Sequence, residues 1–157
     1  IADGEDYTIN LGDGHFSNIS SLSAKGQSGT ESFFGSGSAS ETLTGGSGTN
    51  SLWGGAGAVS DTLVGTGGTT TYGFGKGDGN DVILHSGSDD TVLLYNVSLN
   101  DVKSAAVQSS ANAFVINLTD GSSLTLKGYS SNSAKTFTLG DGTSWTYSYS
   151  TKGWTKA

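Results

Sequence analysis

Large apolar residues recur along the first half of the chain at a nearly constant step. Phe33, Leu43, Leu52, Leu63, Tyr72 and Ile83 follow one another at intervals of 10, 9, 11, 9 and 11 residues. Glycine clusters beginning at Gly35, Gly45, Gly54, Gly65 and Gly73 keep step with them, at intervals of 10, 9, 11 and 8. One inward apolar side chain between two Gly-rich turns describes a short strand, and the unit is too short for a helical hairpin or a propeller blade. Units of this size stack as a parallel β-roll whose successive strands build two sheets. Leu43, Leu52 and Leu63 are then expected to form one internal apolar ladder, with Ile19 and Leu22 marking an earlier rung.

Beyond residue 84 the period is lost. Thr91 to Tyr95 reads as a buried strand, and Leu99 to Val107 as a short helical or irregular link with Asn100 and Asp101 available as caps. Ala113–Leu118 and Ser123–Tyr129 flank Thr119-Asp120-Gly121, and Thr136–Leu139 and Thr143–Tyr149 flank Asp141-Gly142. Both are hairpin signals. The expected fold class is therefore all-β: a parallel β-roll or β-solenoid with a small antiparallel C-terminal cap. It divides into an N-terminal cap with irregular first rungs (1–32), the repeats (33–84) and the antiparallel cap (85–157). Tyr7 to Leu11 is the candidate for the N-terminal cap. If it leaves the roll open, chains could add end to end into filaments.

Composition narrows the function. Gly contributes 26 of 157 residues, Ser and Thr are comparably common, and Pro, Cys and Met are absent. Without Cys there is no disulfide framework, thiolate zinc site or cysteine nucleophile. Fourteen acids face seven basic residues, all of them Lys, for a formal net charge of −7. That balance argues against nucleic acid, which needs a basic face. No apolar run is long enough for a membrane-spanning helix. Residues 1–20 also lack the basic start and apolar stretch of a cleavable signal peptide.

The repeats themselves are specific. Gly45 to Trp53 reads GGSGTNSLW, which resembles the calcium-binding nonapeptide GGxGxDxUx of the RTX (haemolysin-type) proteins, U being a large apolar residue. Gly35 to Thr44 (GSGSASETLT), Gly54 to Val64 (GGAGAVSDTLV) and Gly65 to Gly73 (GTGGTTTYG) are variants of it. Tyr72 to Ile83 (YGFGKGDGNDVI) is similar to the ending common in such arrays. The stretch AFVINLTDGSSLTLKGY, with TFTLGDGTSW after it, resembles the domain that often follows them. The resemblance, over residues 33–147, implies a roll exported by type I secretion, with calcium held between turns by backbone carbonyls and the motif acid. On this chain it points to Asp61, Gly75, Gly77, Asp78 and Asp81, with Glu41 and Asn50 as lesser ligands. Hard oxygen donors on a Gly-rich turn suit calcium. The acid position departs from the pattern, however, carrying Glu41, Asn50, a displaced Asp61, Thr70 and Asp81. Sites bounded by Asn50 and Thr70 would have little charge to offset dehydration of the ion. The alternative is a degenerate roll with hydrogen-bonded turns and no metal.

Other residues carry less. Asp89 and Asp90 read as an acidic turn, and His15 and His85 have no metal-site spacing around them. Trp53 is expected to face outward, whereas Trp145, Trp154, Tyr147 and Tyr149 belong to the cap. No nucleophile–base pair is recognisable. The sequence thus describes a non-catalytic extracellular module of a larger secreted or surface bacterial protein. Its expected roles are structure, folding and export, and adhesion or matrix assembly. The alternative is a carbohydrate-binding module of a polysaccharide-active enzyme, with a neutral glycan as its partner.

Overall fold

The structure is a computed structural model that describes residues 4–12, 21–84, 87, 89–128, 135–148 and 150–157. The fold is an all-β solenoid of about four turns closed by antiparallel strands at its C-terminal end. Successive strands alternate between two sheets. The first sheet runs β1 (Tyr7–Asn10), β3 (Glu31–Phe34), β5 (Thr49–Trp53), β7 (Thr69–Phe74) and β9 (Thr91–Leu94) in parallel. It continues through β13 (Lys135–Leu139), β14 (Ser144–Ser148) and β15 (Gly153–Lys156). The second stacks β2 (Ser21–Lys25), β4 (Ser40–Thr44), β6 (Thr62–Val64) and β8 (Asn80–Leu84), followed by β12 (Ser123–Lys127), β11 (Ala113–Leu118) and β10 (Val102–Gln108). Both sheets run on past residue 84, because β9 pairs with β7 and β12 with β8.

The nine- to eleven-residue period is half a turn, so the expected single ladder divides. Phe33, Leu52, Tyr72, Val92 and Phe137 stack in register in the first sheet, and Leu43, Leu63, Ile83 and Leu126 in the second. All are essentially inaccessible, and their inner faces meet as the core. Leu52 therefore faces Leu43 and Leu63 from the opposite sheet instead of standing between them. Tyr7–Asn10 forms a rung, pairing with β3 residue for residue.

The C-terminal hairpins lie where the turn signals place them, β11 with β12 and β13 with β14. The expected irregular link is different: after a single 3-10 turn at Leu99–Asp101, residues 102–108 form β10. Asp101 caps the start of that turn by accepting hydrogen bonds from the Ser98 N–H (2.8 Å) and hydroxyl (2.7 Å). Val102, Ala105 and Val107 then pack half-buried against the core. Phe114, Phe137, Tyr147 and Trp154 close the core end, with ring centroids 4.9 to 5.7 Å apart. The Tyr147 hydroxyl ties the two sheets together by donating to the Ala105 carbonyl at 2.9 Å. Among the described residues no helix is long and apolar enough to cross a membrane.

Trp53 faces outward and is half-buried. Phe34 stacks on one side of it, with centroids 4.9 Å apart and rings 15° from parallel. Its indole also lies over Gly73 of the next strand, in space that a side chain on Gly73 would occupy. Gly73→Ala should cost about 1–3 kcal/mol through this overlap. In a Trp53→Ala background the same change should cost almost nothing, so a double-mutant cycle by urea unfolding would read a coupling of similar size.

Candidate functional site

Each solenoid turn has two Gly-rich corners, one leading into each sheet, and the residue at the motif's acid position enters the strand pointing inward. Parallel register stacks those positions into two columns. The column leading into the second sheet holds Glu41, Asp61 and Asp81, with Leu22 before and Leu124 after them in register. The opposite column holds Glu31, Asn50, Thr70 and Asp90. Glu31, Glu41, Asn50, Asp61, Thr70 and Asp81 are all buried, none more than 3% exposed.

The first column is a file of acids. The Glu41 N–H donates to Asp61 Oδ1 (2.7 Å), and the Asp61 N–H donates to Asp81 Oδ1 (3.0 Å). The Ser36 hydroxyl donates to Glu41 Oε1. The second oxygen of each acid, Glu41 Oε2, Asp61 Oδ2 and Asp81 Oδ2, is buried without a partner. Two of these converge on Gly54: a Cβ there would stand 2.6 Å from Asp61 Oδ2 and 3.0 Å from Asp81 Oδ2. Glycine leaves that space open. Burial pushes the Asp61 carboxyl up to about 7 and that of Asp81 up to about 8, and the charges of neighbouring acids, Glu41 among them, add to it.

Of the residues expected to bind metal, Glu41, Asp61 and Asp81 come together, and Asn50 lies in the other column. Gly75, Gly77 and Asp78 form the last corner of the acidic column, where the protein supplies their partners. Asp78 accepts from the Gly75 N–H (2.8 Å) and the Tyr95 hydroxyl (2.6 Å). The Gly77 N–H donates to Asp120 (2.8 Å), and its carbonyl accepts from the Gly57 N–H (2.7 Å). Lys76 beside them pairs with Asp101 at 3.1 Å.

The second column is satisfied in part by the chain itself, with Glu31 Oε2 and Thr70 Oγ1 buried without a partner. Asn50 Oδ1 accepts from the Gly46 N–H (2.8 Å), while Nδ2 donates to the carbonyls of Gly46 (3.2 Å) and Gly48 (3.1 Å). Asp90 accepts from the N–H groups of Thr70 (2.8 Å) and Gly87 (2.6 Å), as an acidic turn does. Lys135 Nζ donates to the carbonyls of Gly87 (3.3 Å) and Asp90 (3.5 Å), placing an ammonium at the last corner. Glu31 was missed in the sequence, although Gly26, Gly29 and Glu31 occupy the first, fourth and sixth places of the template. Lys135 gave no signal, since only the fold brings it to Gly87. His15, Ile19, His85 and Tyr149 lie outside the described residues.

The two columns therefore differ in their fit to a hard cation. The acidic one offers unpartnered carboxyl oxygens beside a Gly corner, as calcium requires. In the other, an amide and an ammonium already occupy carbonyls, and a single carboxyl oxygen, Glu31 Oε2, is left without a partner. Among the described residues no three His, Asp or Glu side chains form a ready-made cage. The acids stand in file, so an ion would share two of them at a time with backbone carbonyls. A scan of protein-family models finds no match to the chain, and a search of the curated proteins finds none either.

Two outcomes follow. Carboxyls held above their unfolded values bind protons more tightly in the native state, so metal-free stability is greatest near pH 4 and falls as pH rises through 7 and 8. With chelator present, the loss across that window should be at least about 1.4 kcal/mol, one unit's worth. Asp81→Asn should flatten the slope, as urea denaturation at both ends of the window will measure. Thr70→Asn should in turn stabilise the protein by about 1 kcal/mol by repeating the Asn50 arrangement one turn on.

Proposed function

We propose that the chain is a non-catalytic extracellular β-roll module of a larger secreted or surface bacterial protein, of the RTX kind and exported by type I secretion. Its work is structural: it forms a rod that folds outside the cell and serves adhesion or matrix assembly. The observation that carries this reading is the file Glu41, Asp61 and Asp81, three buried acids with a spare oxygen each. Calcium bound there supplies the positive charge that lets buried carboxylates stay ionised. Asp61 and Asp81 would be its principal side-chain ligands, with Glu41 completing the file. The opposite column, holding Asn50 and Lys135, keeps the rod together without metal, so binding tightens a roll that is already half secured.

The outer face of the first sheet supports the adhesive part. Thr8, Ser32, Ser51, Thr71 and Thr91 share one row across five strands, a neutral strip on a chain of net charge −7. The carbohydrate-binding alternative loses its stacking platform at Trp53, whose ring is sandwiched between Phe34 and Gly73.

Calcium titration of chelator-stripped protein, followed by circular dichroism melts, tests the reading. Extracellular calcium modules bind in the range of about 10⁻⁴–10⁻³ M. Saturation at the tight end of that range should raise Tm by roughly 5–10 °C. The shift should vanish in an Asp61→Asn, Asp81→Asn double variant and survive in Asn50→Ser. A Tm indifferent to calcium overturns the metal-supported reading and leaves a self-sufficient scaffold.

A further inference from the structure

The two ends of the rod are complementary. The first sheet begins at β1 and ends at β15, and among the described residues no strand pairs with the outer edge of either. β13 runs parallel to β9, and the antiparallel pairs β13–β14 and β14–β15 reverse the direction twice. β15 therefore points the same way as β1 and every repeat strand of that sheet. The outer edge of β1 is oriented to pair. The Tyr7 and Leu11 N–H groups donate to the Thr30 and Phe34 carbonyls, so those of Thr8 and Asn10 face the other way. An edge of this kind adds a further strand unless something opposes it.

Register and charge select that strand. The row that starts at Ile9 and Phe33 follows the apolar ladder of the first sheet to Trp145 and Lys156. A second copy aligned on this row sets Thr155 beside Thr8 and Trp154 beside Tyr7, with Lys152 beside Glu5. Trp154 and Tyr7 are half-buried at the margin of the core, whereas Lys152 and Glu5 are exposed. Lys156 falls beside Ile9, where its stem adds apolar cover and its ammonium reaches solvent. Like ends repel, one pairing bringing Lys152 and Lys156 together and the other Glu5 and Asp6. Lys25 at the first end and Asp141 at the second reduce this contrast without reversing it. We infer that each end takes the opposite end of a second copy of this chain, through a parallel β15–β1 pair, so that the rods polymerise head to tail. A heterologous contact of this kind does not close, and gives a filament. The second sheet has seven strands against eight, so the first sheet carries the junction. Head-to-tail growth is how such a module would assemble a matrix; it rests on that reading of the function and uses none of the calcium ligands.

Sedimentation of the full chain over a concentration series, with calcium present, tests the junction. The weight-average mass should climb past the dimer without a plateau. Thr8→Pro removes an N–H from the free edge and leaves the bonds to β3 in place, so it should hold the protein near monomer with Tm unchanged. Lys152→Glu should weaken association about fivefold, and adding Glu5→Lys to the same chain should restore it. A protein that stays monomeric, growth that halts at a dimer, or undiminished assembly of a folded Thr8→Pro variant would each overturn the inference. So would a charge exchange that fails to restore what Lys152→Glu removes. The Tm response to calcium is a separate readout, so the junction and the metal-supported reading fail independently.

Discussion

Parallel in-register stacking places each residue directly above its counterpart about 20 positions away, and everything distinctive in this protein follows from that. Backbone hydrogen bonds between successive turns fix the register, so like positions cannot avoid one another. Where the position is apolar the outcome is favourable: Phe33, Leu52 and Tyr72 make one continuous wall. Where it is acidic, the same rule drives Glu41, Asp61 and Asp81 into file inside the protein. Each of these acids is half-satisfied, Asp61 and Asp81 by the N–H of the preceding turn and Glu41 by the Ser36 hydroxyl of its own corner, and each keeps one oxygen unpartnered. Burial favours the protonated forms of Asp61 and Asp81, and an ion between turns would favour the ionised ones.

The two columns show two solutions to one geometric problem. A Gly-rich corner directs more carbonyls inward than it can bond itself. On one side the chain answers with an amide at Asn50 and an ammonium from Lys135, groups that travel with the sequence. On the other it retains carboxyls, whose spare oxygens look for a partner from outside. At the end of the acidic column the last corner is closed by Tyr95, Asp120 and Ser122, so the cap takes over where the repeats stop.

Much of the fold was legible because repetition amplifies weak local signals. One Gly cluster means little, but five in step with a single apolar residue fix strands, turns and the inward face. What stayed hidden was whatever depends on the helical pitch of the coil. The repeat length read from Phe33 to Ile83 is half a turn, so the sequence could not assign Leu52 and Leu63 to opposite sheets. Nor could it separate Asn50 from Asp61 as members of different columns. The link at 102–108 misled for another reason: Val102, Ala105 and Val107 keep only a partial alternation, and their strand identity comes from pairing with β11. The carboxyl file was legible in residue type but not in burial, and Lys135 was invisible because its partner lies 48 positions away.

The hydrogen bonds that join the turns run along the axis of the solenoid. When the two ends of such a rod are pulled apart, the load falls on the bonds between neighbouring turns one rung at a time, like the stitches of a knitted cord. Each rung of about 20 residues would release roughly 70 Å of chain when fully extended. A surface anchor built this way would lengthen in steps under tension and shed load before it broke, and ions lodged between turns would set the force at which each stitch slips.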